Sequence, residues 1–257
     1  MKNLSMTKFT DSSIIWPQIK TVGLAGIIVT FSGVLSEPAN RAAIAFRAAV
    51  AALEWAEVEE SNSTLVSTFI RIDLSKYRPE PIVERLQELL ATQDWLSARL
   101  PTGRTLWRVP TLFGTDRAPQ MAEAAELAER SIAQAITDLS TTTMRVLTIG
   151  FAPGQPYLGT LPDHWNIPRQ TSITPKVPAG SLVTAVSQFC LFPYDTPTGW
   201  RHVGATGFLS FRPNSEHPFP LSPGDEMIFD PVSEVEFQRI EATDQTGNGG
   251  AQTEVLA

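Results

Sequence analysis

The sequence predicts an α+β protein, in which an N-terminal α/β domain with a ferredoxin-like arrangement precedes a domain of short β-strands. Three observations support this fold class. Of the 20 prolines and 16 glycines, 13 and 10 follow residue 150, so the second half is unsuited to long helices. Apolar strand patterns and amphipathic helix patterns alternate before that point. With 257 residues the chain can also form two ordinary domains. We expect domains at 1–145 and 146–241, and a disordered tail at 242–257.

The first half alternates predicted strands with predicted helices. Residues 22–31 (VGLAGIIVTF) are apolar and β-branched, as in a buried strand. Ser36 can cap a helix that carries Pro38 in its first turn, and residues 80–96 place their apolar side chains on one helical stripe. The other predicted elements are strands at 63–74, 105–112 and 144–151 and an alanine-rich helix at 119–139.

The second half is predicted to be all-β. Short apolar segments at 181–192, 207–211 and 226–229 indicate strands, and SPGD at 222–225 indicates a tight turn before the last of them. This spacing is typical of a small barrel or sandwich. The segment from Asp244 onward is polar and rich in glycine, which favours disorder.

Composition excludes several classes of protein. A hydrophobic content of 42% with 18% charged residues is that of a globular chain, and no apolar run approaches a membrane span. Residues 151–257 carry 5 basic and 11 acidic groups, so we expect no nucleic-acid partner and no membrane partner. The N-terminal residues 1–16 lack an apolar core with a small-residue cleavage site, so we expect a cytoplasmic protein.

Common catalytic and metal-binding signatures are missing from the sequence. Cys190 is the only cysteine, which excludes an internal disulfide and a cysteine-based metal cluster. His164, His202 and His217 have no metal-ligand spacing, so we expect no metal site. The sequence also lacks GxGxxG, the GxxxxGK[ST] phosphate loop, HExxH and GxSxG. Ser181 therefore has no nucleophile elbow around it, and a turn or cap serine is the alternative.

Candidate functional residues lie between Gly150 and Gly204, where turn-forming, aromatic and polar residues are mixed. Arg169 and Lys176 either bind a carboxylate or phosphate or are solvated loop charges. His202 either transfers protons or is a hydrogen-bonded structural histidine.

The aromatic residues of this segment have the same two interpretations. Tyr157, Tyr194 and Trp200 either line a ligand pocket or pack in the barrel core. The backbone N–H groups of Gly180 and Ser181 follow Pro178 and can hold an oxyanion. Three further residues, Phe151, Leu158 and Cys190, are expected to be buried in the core.

The motifs of this segment resemble a known family. GFAPGQPYLGTLP, VPAGS and FPYDTPTGW occur in the order and spacing typical of allophanate hydrolase subunit 1 proteins. That family includes the B-type subunit of bacterial ATP-dependent 5-oxoprolinase and the Kip-type inhibitor of a histidine kinase. The resemblance is specific over about residues 145–235. It implies an α/β domain joined to a cyclophilin-like β-barrel.

The sequence departs from the family pattern at several positions. Gln155 stands where the pattern has Phe, and Thr198 replaces the first glycine of PGGW. Residues 187–191 (SQFCL) replace a glycine-rich loop. The polar His and Glu-Tyr of the preceding segment correspond to Leu139, Thr143 and Met144.

The resemblance implies a subunit of an ATP-dependent amidohydrolase that opens 5-oxoproline to glutamate. Its implied partners are an allophanate hydrolase subunit 2-like protein and a LamB/YcsF-like protein, with ATP at a shared subunit site. The alternatives are a regulatory protein like the Kip-type inhibitor and a carboxyltransferase component like that of urea carboxylase. We assign catalysis to Arg169, Lys176 and His202. We assign substrate binding to Pro153, Gly154, Tyr157, Gly180, Ser181, Tyr194 and Trp200.

Overall fold

A computed structural model describes residues 15–257, so the N-terminal stretch considered above lies mostly outside the described residues. The chain divides into two compact units, one ending at Ala98 and the other running from Arg99 to Ala257. The predicted boundary at 145/146 is therefore wrong. The apolar segments between residues 99 and 150 already belong to the second unit. The rise in proline and glycine content after residue 150 therefore reflects longer loops within that unit and does not mark a domain boundary.

The first unit is a four-stranded antiparallel sheet with two helices. Its elements are β1 (Gln18–Val22), β2 (Gly26–Thr30), α1 (Glu37–Ala52), β3 (Glu60–Ser63), β4 (Ser67–Arg71) and α2 (Pro79–Leu90). The sheet order is β1-β2-β4-β3. The described order of elements is thus β-β-α-β-β-α, which differs from the β-α-β-β-α-β order of a ferredoxin-like domain. The predicted strand at 22–31 is in fact the second half of a hairpin.

Local sequence explains the elements of this unit. Ser36 caps α1 as predicted, since its Oγ accepts a hydrogen bond from the Ala39 N–H at 3.4 Å. Helix α1 buries Phe46, whose ring packs edge-on against Trp95 at 4.9 Å between centroids. Helix α2 ends at Leu90, earlier than predicted, and Asp94 caps the separate 3-10 turn that follows.

The second unit is a closed β-barrel with three helices. It contains β5 (Arg104–Phe113), α3 (Met121–Leu127), α4 (Ile132–Thr141), β6 (Met144–Ile149), β7 (Pro156–Gly159), β8 (Thr174–Val177), β9 (Ser181–Ala185), β10 (Gln188–Leu191), β11 (Thr196–Thr198), β12 (Arg201–Thr206), β13 (Glu226–Pro231), α5 (Glu234–Thr243) and β14 (Gln252–Leu256). The sheet order is β12-β9-β10-β7-β6-β13-β5-β14. An added β12–β5 pairing closes it, which confirms the predicted α+β class and the barrel.

Several predicted elements of this unit have different bounds. The helix at 119–139 is two helices, because α3 ends at Leu127 and a capping box at Ser131 starts α4. The strand at 181–192 is a hairpin whose turn residues Val186 and Ser187 both have positive φ, as a type I′ turn requires. Residues 207–211 form only an isolated bridge, between Phe208 and Asn248.

The predicted disordered tail is wrong as well. Helix α5 extends to Thr243, and β14 pairs with β5 in antiparallel register from Gln252 to Leu256. Asp244 organises the intervening loop by accepting hydrogen bonds from the N–H groups of Thr246 and Gly249. The glycines here supply turns with positive φ between two ordered elements.

The barrel core consists of large apolar side chains from most of its strands. Phe189 and Phe229 lie edge-to-face across the interior, with ring centroids 5.5 Å apart. The largest fully buried side chains of this unit are those of Trp165, Phe189, Phe208, Phe229, Met121 and Leu139. Within residues 15–257, no helix is long and apolar enough to cross a membrane.

Candidate functional site

A tight turn between β6 and β7 shapes one wall of the candidate site. Phe151 and Gly154 both have left-handed φ, at 69° and 72°. A Cβ atom on Gly154 would lie 2.5 Å from the Ser210 carbonyl oxygen, so only glycine fits here. Phe151 was predicted to be a core residue, but it is 88% exposed. The left-handed turn places its ring outside the core, whereas Leu158 is buried as predicted.

An aromatic cavity of about 280 Å³ opens beside this turn. Tyr157 and Trp200 form two of its walls, with ring centroids 6.0 Å apart and an interplanar angle of 72°. The Arg169 guanidinium carbon lies 5.5 Å from the centre of the Trp200 ring. Three of the predicted site residues therefore share one cavity, at a distance typical of cation–π contact.

The aromatic cavity carries a single positive charge. Of the described residues that line it, Arg169 alone is charged. Burial raises the pKa values of the Tyr157 phenol and the Cys190 thiol, so both groups keep their protons at neutral pH. Cys190 is buried in β10, as predicted, and cannot act as a thiolate nucleophile there. The cavity is therefore suited to bind an anion and has no base of its own among these residues.

A second cavity of about 460 Å³, called the polar cavity because several charged side chains line it, holds the other predicted catalytic residues, Lys176 and His202, together with Ser181. The Lys176 ammonium lies 2.7 Å from the Asp195 carboxylate, and this contact raises the pKa of the lysine. Arg117 also lines this cavity and lies 2.9 Å from Glu241 and 3.4 Å from Glu234. Both cationic side chains of this cavity are therefore largely neutralised by carboxylates.

His202 is held neutral within this second cavity. Burial lowers the pKa of His202 to about 4. Its Nε2 lies 3.0 Å from the Gly204 carbonyl oxygen and must donate to it, which leaves Nδ1 as an acceptor. The backbone N–H of His202 donates to the Gln120 side chain at 2.8 Å. The predicted single catalytic group is thus divided, because Arg169 lines one cavity while Lys176 and His202 line the other.

The predicted oxyanion site at Gly180 and Ser181 does not form. The Gly180 N–H donates to the Phe192 carbonyl at 2.8 Å, and the Ser181 N–H donates to the Pro178 carbonyl at 3.3 Å. Gly180 has a φ of 76°, and a Cβ there would lie 2.2 Å from the Thr206 carbonyl oxygen. Both amides are used in closing the β9 corner, so neither is free for a ligand.

The remaining predicted binding residues lie outside both cavities. Tyr194 is 39% exposed and does not line either of them. Pro153 is exposed on the turn, and Gly154 is occupied by its packing against Ser210. These three residues shape loops and are not part of either described cavity wall.

A pair of glutamines links the two cavities and was not among the predicted site residues. Gln120 donates from Nε2 to the Gln170 Oε1 at 2.7 Å, and Gln170 in turn donates to the Trp200 carbonyl at 2.9 Å. Gln120 was placed in the wrong domain, so no sequence signal connected it with the barrel loops. Gln155, which lines the aromatic cavity, was not predicted as a site residue either, although this position departs from the family pattern.

Residues 15–257 offer no cluster of three or more His, Cys, Asp or Glu side chains that could hold a metal ion. The aromatic cavity provides a cation and flat apolar walls, and the polar cavity provides a neutral imidazole and paired charges.

Comparison with solved structures shows the same fold in larger proteins. The TTHA0988 crystal structure matches with a TM-score of 0.67 at 24% identity, over 81% of this chain and 40% of that one. Urea carboxylase from Kluyveromyces lactis matches with a TM-score of 0.68 at 16% identity, over 93% of this chain and 24% of that one. The chain thus spans a minor part of either protein, and at these identities the likeness concerns the fold alone.

Comparison of sequences gives closer relatives. The B-type 5-oxoprolinase subunit from Bacillus subtilis is 26% identical over 227 residues, which cover 86% of this chain and 95% of the relative. Its counterpart from Escherichia coli O157:H7 is 34% identical over 152 residues, covering 59% and 68% respectively. The sequence-family model for the carboxyltransferase domain, subdomain C and D, matches residues 17–221. The chain therefore belongs to the carboxyltransferase subdomain C and D family, as a member similar to the B-type 5-oxoprolinase subunits.

Proposed function

We propose that this chain is a cytoplasmic subunit of an ATP-dependent amidohydrolase of the 5-oxoprolinase type and binds the cyclic amide in the aromatic cavity. The observation that carries the proposal is the position of Arg169 against Trp200 in a small cavity with no other charge among its described lining residues. The names of the sequence relatives supply the substrate, since 5-oxoproline is a flat five-membered lactam with one carboxylate.

The cavity residues have distinct roles in this proposal. Arg169 pairs with the substrate carboxylate, a charge-assisted interaction worth about 1.5–3 kcal/mol. Tyr157 and Trp200 flank the lactam ring and exclude water from it. With the reactant held in this way, activation of the resonance-stabilised amide becomes an intramolecular step within the assembly.

The chemical groups for ring opening have to come from elsewhere in the assembly. The aromatic cavity contains no described carboxylate, and its thiol and phenol are protonated. His202 is neutral and lines the other cavity. We therefore expect the isolated chain to bind the substrate without turning it over. An allophanate hydrolase subunit 2-like protein and a LamB/YcsF-like protein are the proposed partners.

The residues of these two cavities do not fit ATP itself. A triphosphate needs several unpaired cations or consecutive free N–H groups. In the polar cavity, Lys176 and Arg117 are already paired with carboxylates. The Gly180 and Ser181 N–H groups already donate to backbone carbonyls. Arg169 alone cannot balance a triphosphate. We therefore assign the nucleotide to the partner subunits and derive no step of this chain's chemistry from it.

The test is 5-oxoproline-dependent ATP hydrolysis by the chain mixed with both partner subunits. We expect turnover that requires the chain and falls at least tenfold with Arg169→Ala, with part of it restored in Arg169→Lys. Arg239→Ala is the matched control, because Arg239 is an exposed arginine paired with Glu236 on α5. Turnover that is independent of the chain would rule out the subunit role, and normal turnover of Arg169→Ala would rule out the cavity assignment.

A second candidate function is regulation, in which the aromatic cavity receives a segment of a partner protein. The exposed apolar residues at its mouth favour this interpretation, since Phe151 is 88% and Ile173 68% exposed. Binding to a histidine kinase that is lost in Phe151→Ser, with no contribution to 5-oxoproline turnover, would support it. The carboxyltransferase alternative predicts instead a requirement for a biotin-bearing partner.

A further inference from the structure

Gln155 is a buried amide with an unused acceptor. The residue is 2% exposed and lines the aromatic cavity. Its Nε2 donates to the Tyr157 hydroxyl at 3.2 Å, while its Oε1 has no hydrogen-bond partner among the described residues. A carbonyl oxygen that is removed from water without a donor is costly, and a ligand that donates a hydrogen bond to it would remove that cost.

Neighbouring polar groups of the cavity do not supply that donor. The Tyr157 hydroxyl accepts a hydrogen bond from the Gln155 Nε2 and makes none to the Oε1. The Thr198 hydroxyl accepts from the Trp200 N–H, and the Thr196 hydroxyl donates to the Tyr194 carbonyl. The buried Cys190 thiol makes no hydrogen bond to the Gln155 Oε1 either. The acceptor is thus left over after the cavity has satisfied its own groups.

Arg169 and Gln155 together define two chemical requirements for the ligand. Arg169 requires an anionic group, and a carboxylate suits its planar guanidinium. Gln155 requires an N–H donor on the same small molecule. The cavity volume of about 280 Å³ lies at the lower end of the range of about 300–1,000 Å³ for ligand pockets, which favours a small molecule.

We propose that Gln155 determines specificity by accepting a hydrogen bond from an amide N–H of a small carboxylate that Arg169 binds. This inference rests on the proposed function and narrows it to substrates with an N–H donor. Two sources share that chemistry, namely lactam carboxylates and open-chain ureido acids. Ring ketones and lactones of the same shape leave the Oε1 unpaired and are rejected.

The test is a set of calorimetric titrations of the full-length chain, alone and with its partner subunits. The probes are 5-oxoproline, N-carbamoylglycine, and 3-oxocyclopentane-1-carboxylate, which keeps the ring and carboxylate of 5-oxoproline but has CH₂ for N–H. We expect the wild-type chain to prefer 5-oxoproline over the ketone by at least tenfold. In Gln155→Met, which nearly keeps the side-chain volume, that preference should fall below twofold with ketone binding unchanged.

Each outcome has a defined meaning. Equal wild-type affinity for lactam and ketone, an unchanged preference in Gln155→Met, or binding of neither ligand would overturn the role of Gln155. The wild-type comparison needs no variant, so a failure of Gln155→Met to fold does not remove the test. Tighter binding of N-carbamoylglycine than of 5-oxoproline would identify the open-chain source.

Turnover separates this inference from the proposed function. A lactam preference without 5-oxoproline-dependent ATP hydrolysis in the assembly would keep the N–H-selective site and remove the oxoprolinase assignment. Hydrolysis without any preference between lactam and ketone would keep the oxoprolinase assignment and remove the N–H-selective site.

Discussion

The Arg169 guanidinium lies over the face of the Trp200 ring, with 5.5 Å between the guanidinium carbon and the ring centre. The side chain of Arg169 is exposed, whereas Trp200 is buried to 6% exposure. The ring therefore restricts a cation at the cavity wall while the charge stays accessible from solvent. This arrangement separates the proposed ligand-binding role of Arg169 from any role in folding.

Arg169→Ala is expected to weaken 5-oxoproline binding to the chain by about ten- to a hundredfold, from the loss of one charge-assisted contact. Its free energy of unfolding should change by less than about 0.5 kcal/mol, since the side chain is exposed. Calorimetry and urea unfolding measure the two quantities. A large loss of stability with unchanged binding would show that Arg169 is a structural residue.

Lys176→Met should change 5-oxoproline binding by less than about threefold. Lys176 lines the polar cavity and is paired with Asp195 at 2.7 Å, so its charge is already compensated in an exposed, screened pair. The same titration measures this effect. A loss as large as that of Arg169→Ala would mean that both cavities contact one ligand, and would contradict the division described here.

His202 should make stability fall in mildly acidic solution. Burial lowers its folded pKa to about 4, while the unfolded value is about 6.5. The unfolded chain therefore binds the extra proton first, and stability is lost as pH falls from about 6.5 to 4. The full shift corresponds to about 3 kcal/mol. Urea unfolding between pH 7 and pH 5 measures the first part of this loss, about 2 kcal/mol.

His202→Gln is the variant that isolates this effect, and the exposed His217 offers the control His217→Gln. The pH dependence between 7 and 5 should become shallower in the first variant and stay unchanged in the second. Equal slopes in both variants and the wild type would contradict the assignment to His202.

Gly180→Ala should destabilise the barrel by about 2–4 kcal/mol, because the new Cβ meets the Thr206 carbonyl oxygen and φ is left-handed. Gly150→Ala is the control, as no atom lies within 4 Å of its Cβ position and its φ is not positive. Thermal unfolding compares the two. Similar melting temperatures for both variants would show that the β9 corner can relax around a methyl group.

The sequence predicted which residues lie together where a single turn-rich segment carries them. The turn-rich loop, the aromatic residues Tyr157 and Trp200, and Arg169 do meet in one cavity. Lys176 is only seven residues from Arg169, yet it lines the other cavity. Spacing within an irregular loop does not determine which side of the neighbouring strands a side chain reaches, so this division was beyond sequence reasoning.

The fold was predicted least well where distant segments pair. The strand at 105–112 was recognised, but its partners lie about a hundred residues or more along the chain. Apolar periodicity shows that such a strand is buried without showing against what. The domain boundary and the ordered C-terminal strand were both lost for this reason.

The pairing of β5 also has a kinetic consequence. Its residues Arg104–Phe113 bond to β12, β13 and β14, whereas the strands of the first unit pair largely with near neighbours in the sequence. Closing such long loops must precede the stabilising contacts, which raises contact order and slows folding. The first unit should therefore gain hydrogen-exchange protection early in refolding, while β5 stays open to solvent and to misassembly until segments about 150 residues away have arrived.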